Sequence, residues 1–106
     1  MVKKSINREV MKSINKYIAK ISKYYKIEAI ILFGSYAKGT ETEDSDIDIA
    51  IISNEFNDII EDGANLIGFT WGIDTRIEPH PIKTEDYNNI DTPFIQEVIN
   101  TGIKVA

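Results

Sequence analysis

The stretch from Ile30 to Ile52 constrains this chain more than any other. An apolar run, Ile30-Ile31-Leu32-Phe33, ends in Gly34-Ser35, and after a gap of ten residues Asp46-Ile47-Asp48-Ile49 opens a second apolar run. Both runs have the length and β-branched content of buried strands. Side chains alternate along a strand, so Asp46 and Asp48 share one face while Ile47 and Ile49 take the other. Neighbouring carboxylates repel each other and are costly to desolvate, so they serve packing poorly. A bound divalent cation relieves both costs.

The segments around this stretch set the architecture. From Ser5 to Tyr25, Ile6, Val10, Ile14, Tyr17, Ile18, Ile21 and Tyr25 recur at three- and four-residue steps, which predicts an amphipathic helix. Lys4, Arg8, Lys12, Lys16 and Lys20 fall on its other side, as a solvated face or a strip for an acidic partner. A strand is expected over 27–33, a short helical turn over 35–38 closed by Gly39, and a second strand over 46–52. Phe56, Ile59, Ile60, Ala64 and Ile67 predict a helix over 54–68, weakened by Gly63. Residues 73–78 alternate as a third strand, stopped by Pro79 and Pro81. Residues 83–91 read as a polar loop. Thr92-Pro93 then starts a last helix that buries Phe94, Ile95, Val98 and Ile99 and ends at Gly102.

Strands alternating with helices predict an α/β (α+β) fold, a mixed three- to four-stranded sheet flanked by helices. At 106 residues, with 42% hydrophobic and 27% charged side chains, the expectation is one domain over residues 1–106. With no cysteine in the chain, disulfides and thiolate ligands are excluded. No run approaches the roughly 20 apolar residues of a membrane span, so a soluble, cytoplasmic protein without a membrane partner is expected. The net charge of −5 divides into +7 over residues 1–26 and −12 over the remaining 80. Such an acidic body disfavours nucleic acid as the main substrate.

Gly34-Ser35 at a strand end suits a phosphate: glycine lets the backbone approach, and the N–H groups of a helical turn point at the anion. Singly, Gly-Ser and Asp-x-Asp are weak signals; in this order and spacing they are a stronger one. The pattern Phe33-Gly34-Ser35, ten residues, Asp46-Ile47-Asp48-Ile49 resembles the DNA-polymerase-beta-like nucleotidyltransferase superfamily at every position. The ending from Pro93 to Ile103 is similar to the minimal nucleotidyltransferases of bacteria and archaea.

That resemblance implies two-metal nucleotidyl transfer. Asp46 and Asp48 would hold two Mg²⁺ ions, with a third carboxylate on the next strand. Arg76-Ile77-Glu78 resembles the family's basic residue two places before the acid, which puts Glu78 ahead of Asp74 as that ligand. Catalytic and metal residues are thus Asp46, Asp48 and Glu78, with Gly34, Ser35 and Lys38 on the nucleotide. The implied activity moves a nucleoside monophosphate, AMP from ATP, onto a tyrosine of a partner HEPN-type toxin, as an antitoxin. The alternative is a non-catalytic module that neutralises the partner by contact. Antibiotic modification fits less well, because those enzymes need more chain to enclose a sugar. His80, between two prolines, reads as structural or exposed, and Trp71 as packing at the core edge. Arg76 would hold a phosphate or pair with Asp74 or Glu78.

Overall fold

The computed structural model describes residues 6–106. The predicted helix start at Ser5 and the charges at Lys3 and Lys4 lie outside the described residues. The first helix, α1 (Arg8–Ile21), begins at Asn7, whose side chain accepts from the Glu9 and Val10 amides. It buries Val10, Ile14, Tyr17 and Ile21, the stripe its periodicity predicts. It ends a turn earlier than expected, because the Ile21 carbonyl takes the amides of both Tyr24 and Tyr25 and the chain leaves the helical path.

Next come β1 (Ala29–Phe33), the single turn α2 (Ser35–Lys38), and β2 (Ile47–Ser53). The strands pair antiparallel, with Phe33 opposite Asp48 and Ile31 opposite Ala50. α3 (Ile59–Gly68) crosses over to β3 (Ile77–Lys83), which runs parallel to β2. α4 (Thr84–Tyr87) and α5 (Pro93–Thr101) follow, and a two-residue strand, β4 (Ile103–Lys104), returns to pair with β1. The sheet order is β3-β2-β1-β4, a mixed four-stranded sheet flanked by helices. β4 has no forewarning in its sequence, since two residues carry no periodicity.

Strand alternation divides the core into two layers. Ile30, Leu32, Ile47, Ile49, Ile51 and Ile77 pack against α1 and against Leu66 of α3. Ile31, Phe33, Ala50, Ile52 and Ile82 face Ile95 and Val98 of α5. Fully burying one such side chain contributes about 1.5–3 kcal/mol, so the apolar runs of β1 and β2 have little freedom to slip register. Among the described residues no helix is long and apolar enough to cross a membrane.

Several expectations are overturned here: residues 84–87, read as polar loop, form α4, and Phe94 and Ile99, read as buried, are 37% and 43% exposed. α3 starts at Ile59 rather than near Asn54, because Asp58 caps it by accepting from the Ile60 and Glu61 amides. Its packed side carries Leu66, whereas Ile60 is 85% exposed and Ile67 55%. Of the apolar stripe read from the sequence, Ile59, Ile60, Ala64 and Ile67 therefore face out, and only Phe56, ahead of the helix, is buried. The third strand is also displaced: residues 73–76 form a turn, and β3 runs through both prolines. β3 lies at the sheet edge, and Pro79 and Pro81 have the same parity, so both point their N–H-less nitrogens at the open side. Glu78, His80 and Ile82 keep the ladder to β2. Edge position removes the usual penalty of proline in a sheet.

Candidate active site

Pairing register assembles the site. Phe33, Asp48 and Glu78 lie opposite one another across β1, β2 and β3, so their side chains emerge in a row on the α5 face. His80 emerges from that face two residues further along β3. Ligand atoms of Asp48, Glu78 and His80 all lie within 4.8 Å of one another. The imidazole Nε2 of His80 lies within hydrogen-bond distance of Asp48 Oδ1, at 3.1 Å, and stands 3.9 Å from Glu78 Oε1. Asp46, exposed just before β2, lies on the rim of this group.

Crowding of acids shows in their chemistry. The Glu78 carboxyl is held above its ordinary range, first by partial burial, then by a hydrogen bond shared with the Asp46 carboxyl and by the charge of Asp48. Two carboxylates and an imidazole converging on one point form a donor set that suits a divalent cation.

Gly34 closes the site from the β1 side. Its φ of +75° is a left-handed conformation that few side chains tolerate, and a Cβ there would stand 2.6 Å from Asp48 Oδ2. Only glycine lets the turn into α2 pass so near the carboxylate. Within α2 the Gly34 carbonyl accepts from the Ala37 and Lys38 amides. Lys38 reaches α5, where its ammonium lies 3.5 Å from Glu97 in an exposed pair. Such a pair holds the side chain weakly, typically by under about 1 kcal/mol.

Asp74 does not join this group. Its carboxylate holds the Arg76 guanidinium at 2.8 and 3.0 Å, accepts from the Arg76 amide at 3.0 Å, and accepts from Ser13 Oγ at 2.8 Å. Arg76 beside it pulls its carboxyl down to about 2, with Ser13 assisting and burial opposing. Asp74 and Arg76 thus fasten the turn before β3 to α1. Trp71, expected to pack at the core edge, is 70% exposed; its neighbour Phe69 stacks on Tyr24 in its place.

His80 is the residue that sequence reasoning set aside. Its spacing from Glu78 was a usable signal, but prolines on either side read as the end of the strand. A separate cleft of about 480 Å³, lined by Asn54, Phe56, Asn57, Lys83, Thr84 and Asn88, opens at the far ends of β2 and β3. It holds none of the converging carboxylates.

Residues 15–106 match the family described as polymerase beta, nucleotidyltransferase. The chain belongs to that family. A Methanocaldococcus jannaschii protein, provisionally named a protein adenylyltransferase, is 36% identical over 92% of this chain and 96% of its own length. In fold, this nucleotidyltransferase is similar to a crystal structure described as a toxin–antitoxin with AMP-PNP. That likeness has a TM-score of 0.59 at 24% identity and covers 94% of this chain and 73% of the other. It is also similar to a provisionally named nucleotidyltransferase from Sulfolobus solfataricus, with a TM-score of 0.65 at 15% identity. There the match covers 98% of this chain and 89% of that one.

Proposed function

We propose that this nucleotidyltransferase is a protein adenylyltransferase: it transfers AMP from ATP to a hydroxyl of a partner protein, a tyrosine of a HEPN-type toxin, and acts as its antitoxin. The observation that carries this reading is the row Asp48–Glu78 beneath Gly34, in a family defined by nucleotidyl transfer. The name of the Methanocaldococcus relative supports a protein as the acceptor, and the toxin–antitoxin structure of similar fold supports the antitoxin role.

In this reading Gly34 and Ser35 bind the β- and γ-phosphates through backbone N–H groups and the serine hydroxyl. Lys38 leaves Glu97 to meet the triphosphate. Asp46, Asp48 and Glu78 hold two Mg²⁺ ions, without which three carboxylates would repel a polyanionic nucleotide. When bound, the ions neutralise the triphosphate and the departing pyrophosphate and acidify the acceptor hydroxyl. The phosphate grip keeps the α-phosphorus in line with the acceptor. A bond forms from the acceptor oxygen to that phosphorus, the α–β bridging bond breaks, pyrophosphate leaves and the hydroxyl proton passes to solvent.

The test is transfer of label from α-labelled ATP, with Mg²⁺, to the protein encoded beside this one. Label on a tyrosine of that partner, lost in Asp46→Asn and Asp48→Asn, is the expected result. Absence of transfer, together with full toxin neutralisation by the double variant, would establish neutralisation by contact instead.

A further inference from the structure

The imidazole of His80 has no task in that reading, yet its placement is well determined. It is the chain's sole histidine. Its ring is packed edge-on against Phe33, at 5.0 Å between centroids, and tilted against Phe94, at 5.7 Å. Phe33 and Phe94 also pack on each other at 5.6 Å. This aromatic group belongs to three elements, β1, β3 and α5, so the ring is fixed from several sides and Nε2 is left facing Asp48. Separations between donor atoms then matter. Ligands bound at about 2.1 Å lie about 3.0 Å apart at right angles and about 4.2 Å apart when opposed. Nε2 stands 3.1 Å from Asp48 Oδ1 and 3.9 Å from Glu78 Oε1, within that span. The three donor atoms therefore already stand at the spacing of co-ligands, so a cation can replace the His80–Asp48 contact without moving the ring.

Resting on the proposed reading of this site, we infer that His80 is a nitrogen ligand to one of the two cations, the one shared by Asp48 and Glu78. That position prefers a first-row transition-metal ion over Mg²⁺, and Mn²⁺, the hardest of them, still accepts an imidazole more readily than Mg²⁺ does. Magnesium takes oxygen donors and dehydrates reluctantly, whereas an imidazole strengthens binding of first-row transition ions. The other position, built from oxygens alone, has no such bias.

The experiment uses the tag-free full chain with Mn²⁺ alone, so that no nucleotide nitrogen is present. Electron spin-echo modulation of bound Mn²⁺ should show coupling to one imidazole nitrogen, converted to the ¹⁵N pattern when the protein is made with ¹⁵N-histidine. Calorimetry should show His80→Gln losing about tenfold or more in Mn²⁺ affinity, with Mg²⁺ affinity changed by less than about threefold. The labelling experiment needs no variant, so a folding defect in His80→Gln does not disable the test. Mn²⁺ that binds, is lost in Asp48→Asn, and shows no histidine coupling overturns this inference and leaves the metal site standing. Mn²⁺ that does not bind at all overturns both.

Discussion

Gly34 and Asp48 approach each other so closely that a single methyl group on Gly34 would fall 2.6 Å from the Asp48 carboxylate. The spacing between the Gly34 turn and the acidic strand is therefore set by a missing side chain. Gly34→Ala is expected to cost about 1–3 kcal/mol from the backbone alone, whose φ of 75° and ψ of −152° are essentially restricted to glycine. It should also displace the carboxylate and slow nucleotidyl transfer by about a hundredfold or more. A thermal melt beside a single-turnover assay separates the two effects; unimpaired transfer would show that the carboxylate can shift without consequence.

Glu78 is held against Asp46 and Asp48, so removing one of these charges should relieve repulsion in the folded chain. Asp46→Asn or Glu78→Gln should leave the melting temperature unchanged or raise it by a few degrees, through relief of like-charge repulsion. Millimolar Mg²⁺ or Mn²⁺ should raise the melting temperature of the native chain and shift these variants much less. Scanning fluorimetry with and without the ion, followed by chelation, measures both.

The Asp74–Arg76–Ser13 cluster predicts an acid limb in stability. Asp74 titrates at about 2 in the folded chain against an ordinary 3.8, so the folded state favours the ionised form. That stability is present in full above pH 3.8 and disappears as pH falls toward 2. Arg76 is 44% exposed, so solvent screening reduces the contribution to about 1–2 kcal/mol. Denaturant melts of Asp74→Asn should show this loss at pH 7 and a flatter slope between pH 4 and 2; identical slopes would rule the cluster out as its source.

Tyr17 joins α1 to α3. Its hydroxyl donates to the Leu66 carbonyl at 2.6 Å, and burial pushes the phenol well above its usual range. The amide of Thr70 bonds to Ile67, so Tyr17 serves a carbonyl at the end of α3. Tyr17→Phe should destabilise the protein by about 1–2 kcal/mol, the cost of a buried acceptor left unpaired. Transfer per folded molecule should not change, because Tyr17 lies on the opposite side of the sheet from the carboxylates. Urea titration and an activity assay on the same preparation check the two parts.

From Ile30 to Ile52 the sequence alone determined most of the local structure. Strands β1 and β2, the glycine between them and the outward face of Asp48 follow from alternation and from the lack of a glycine side chain, while Asp46 falls just ahead of β2. Likewise the start at Pro93 and the buried Ile95 and Val98 of α5 follow from helix periodicity and proline's missing donor, although Thr92 holds the N-cap position without a side-chain bond. Tertiary structure decided what periodicity cannot carry. It placed Asp74 on Arg76 and Ser13, and let an edge strand run through Pro79 and Pro81. It also turned the apolar stripe of α3 outward, paired β4 with β1 and carried His80 to Asp48. Each of these depends on which element lies beside which, a nonlocal relation set by burial of two sheet faces at once. A residue's own neighbours in sequence do not contain that information.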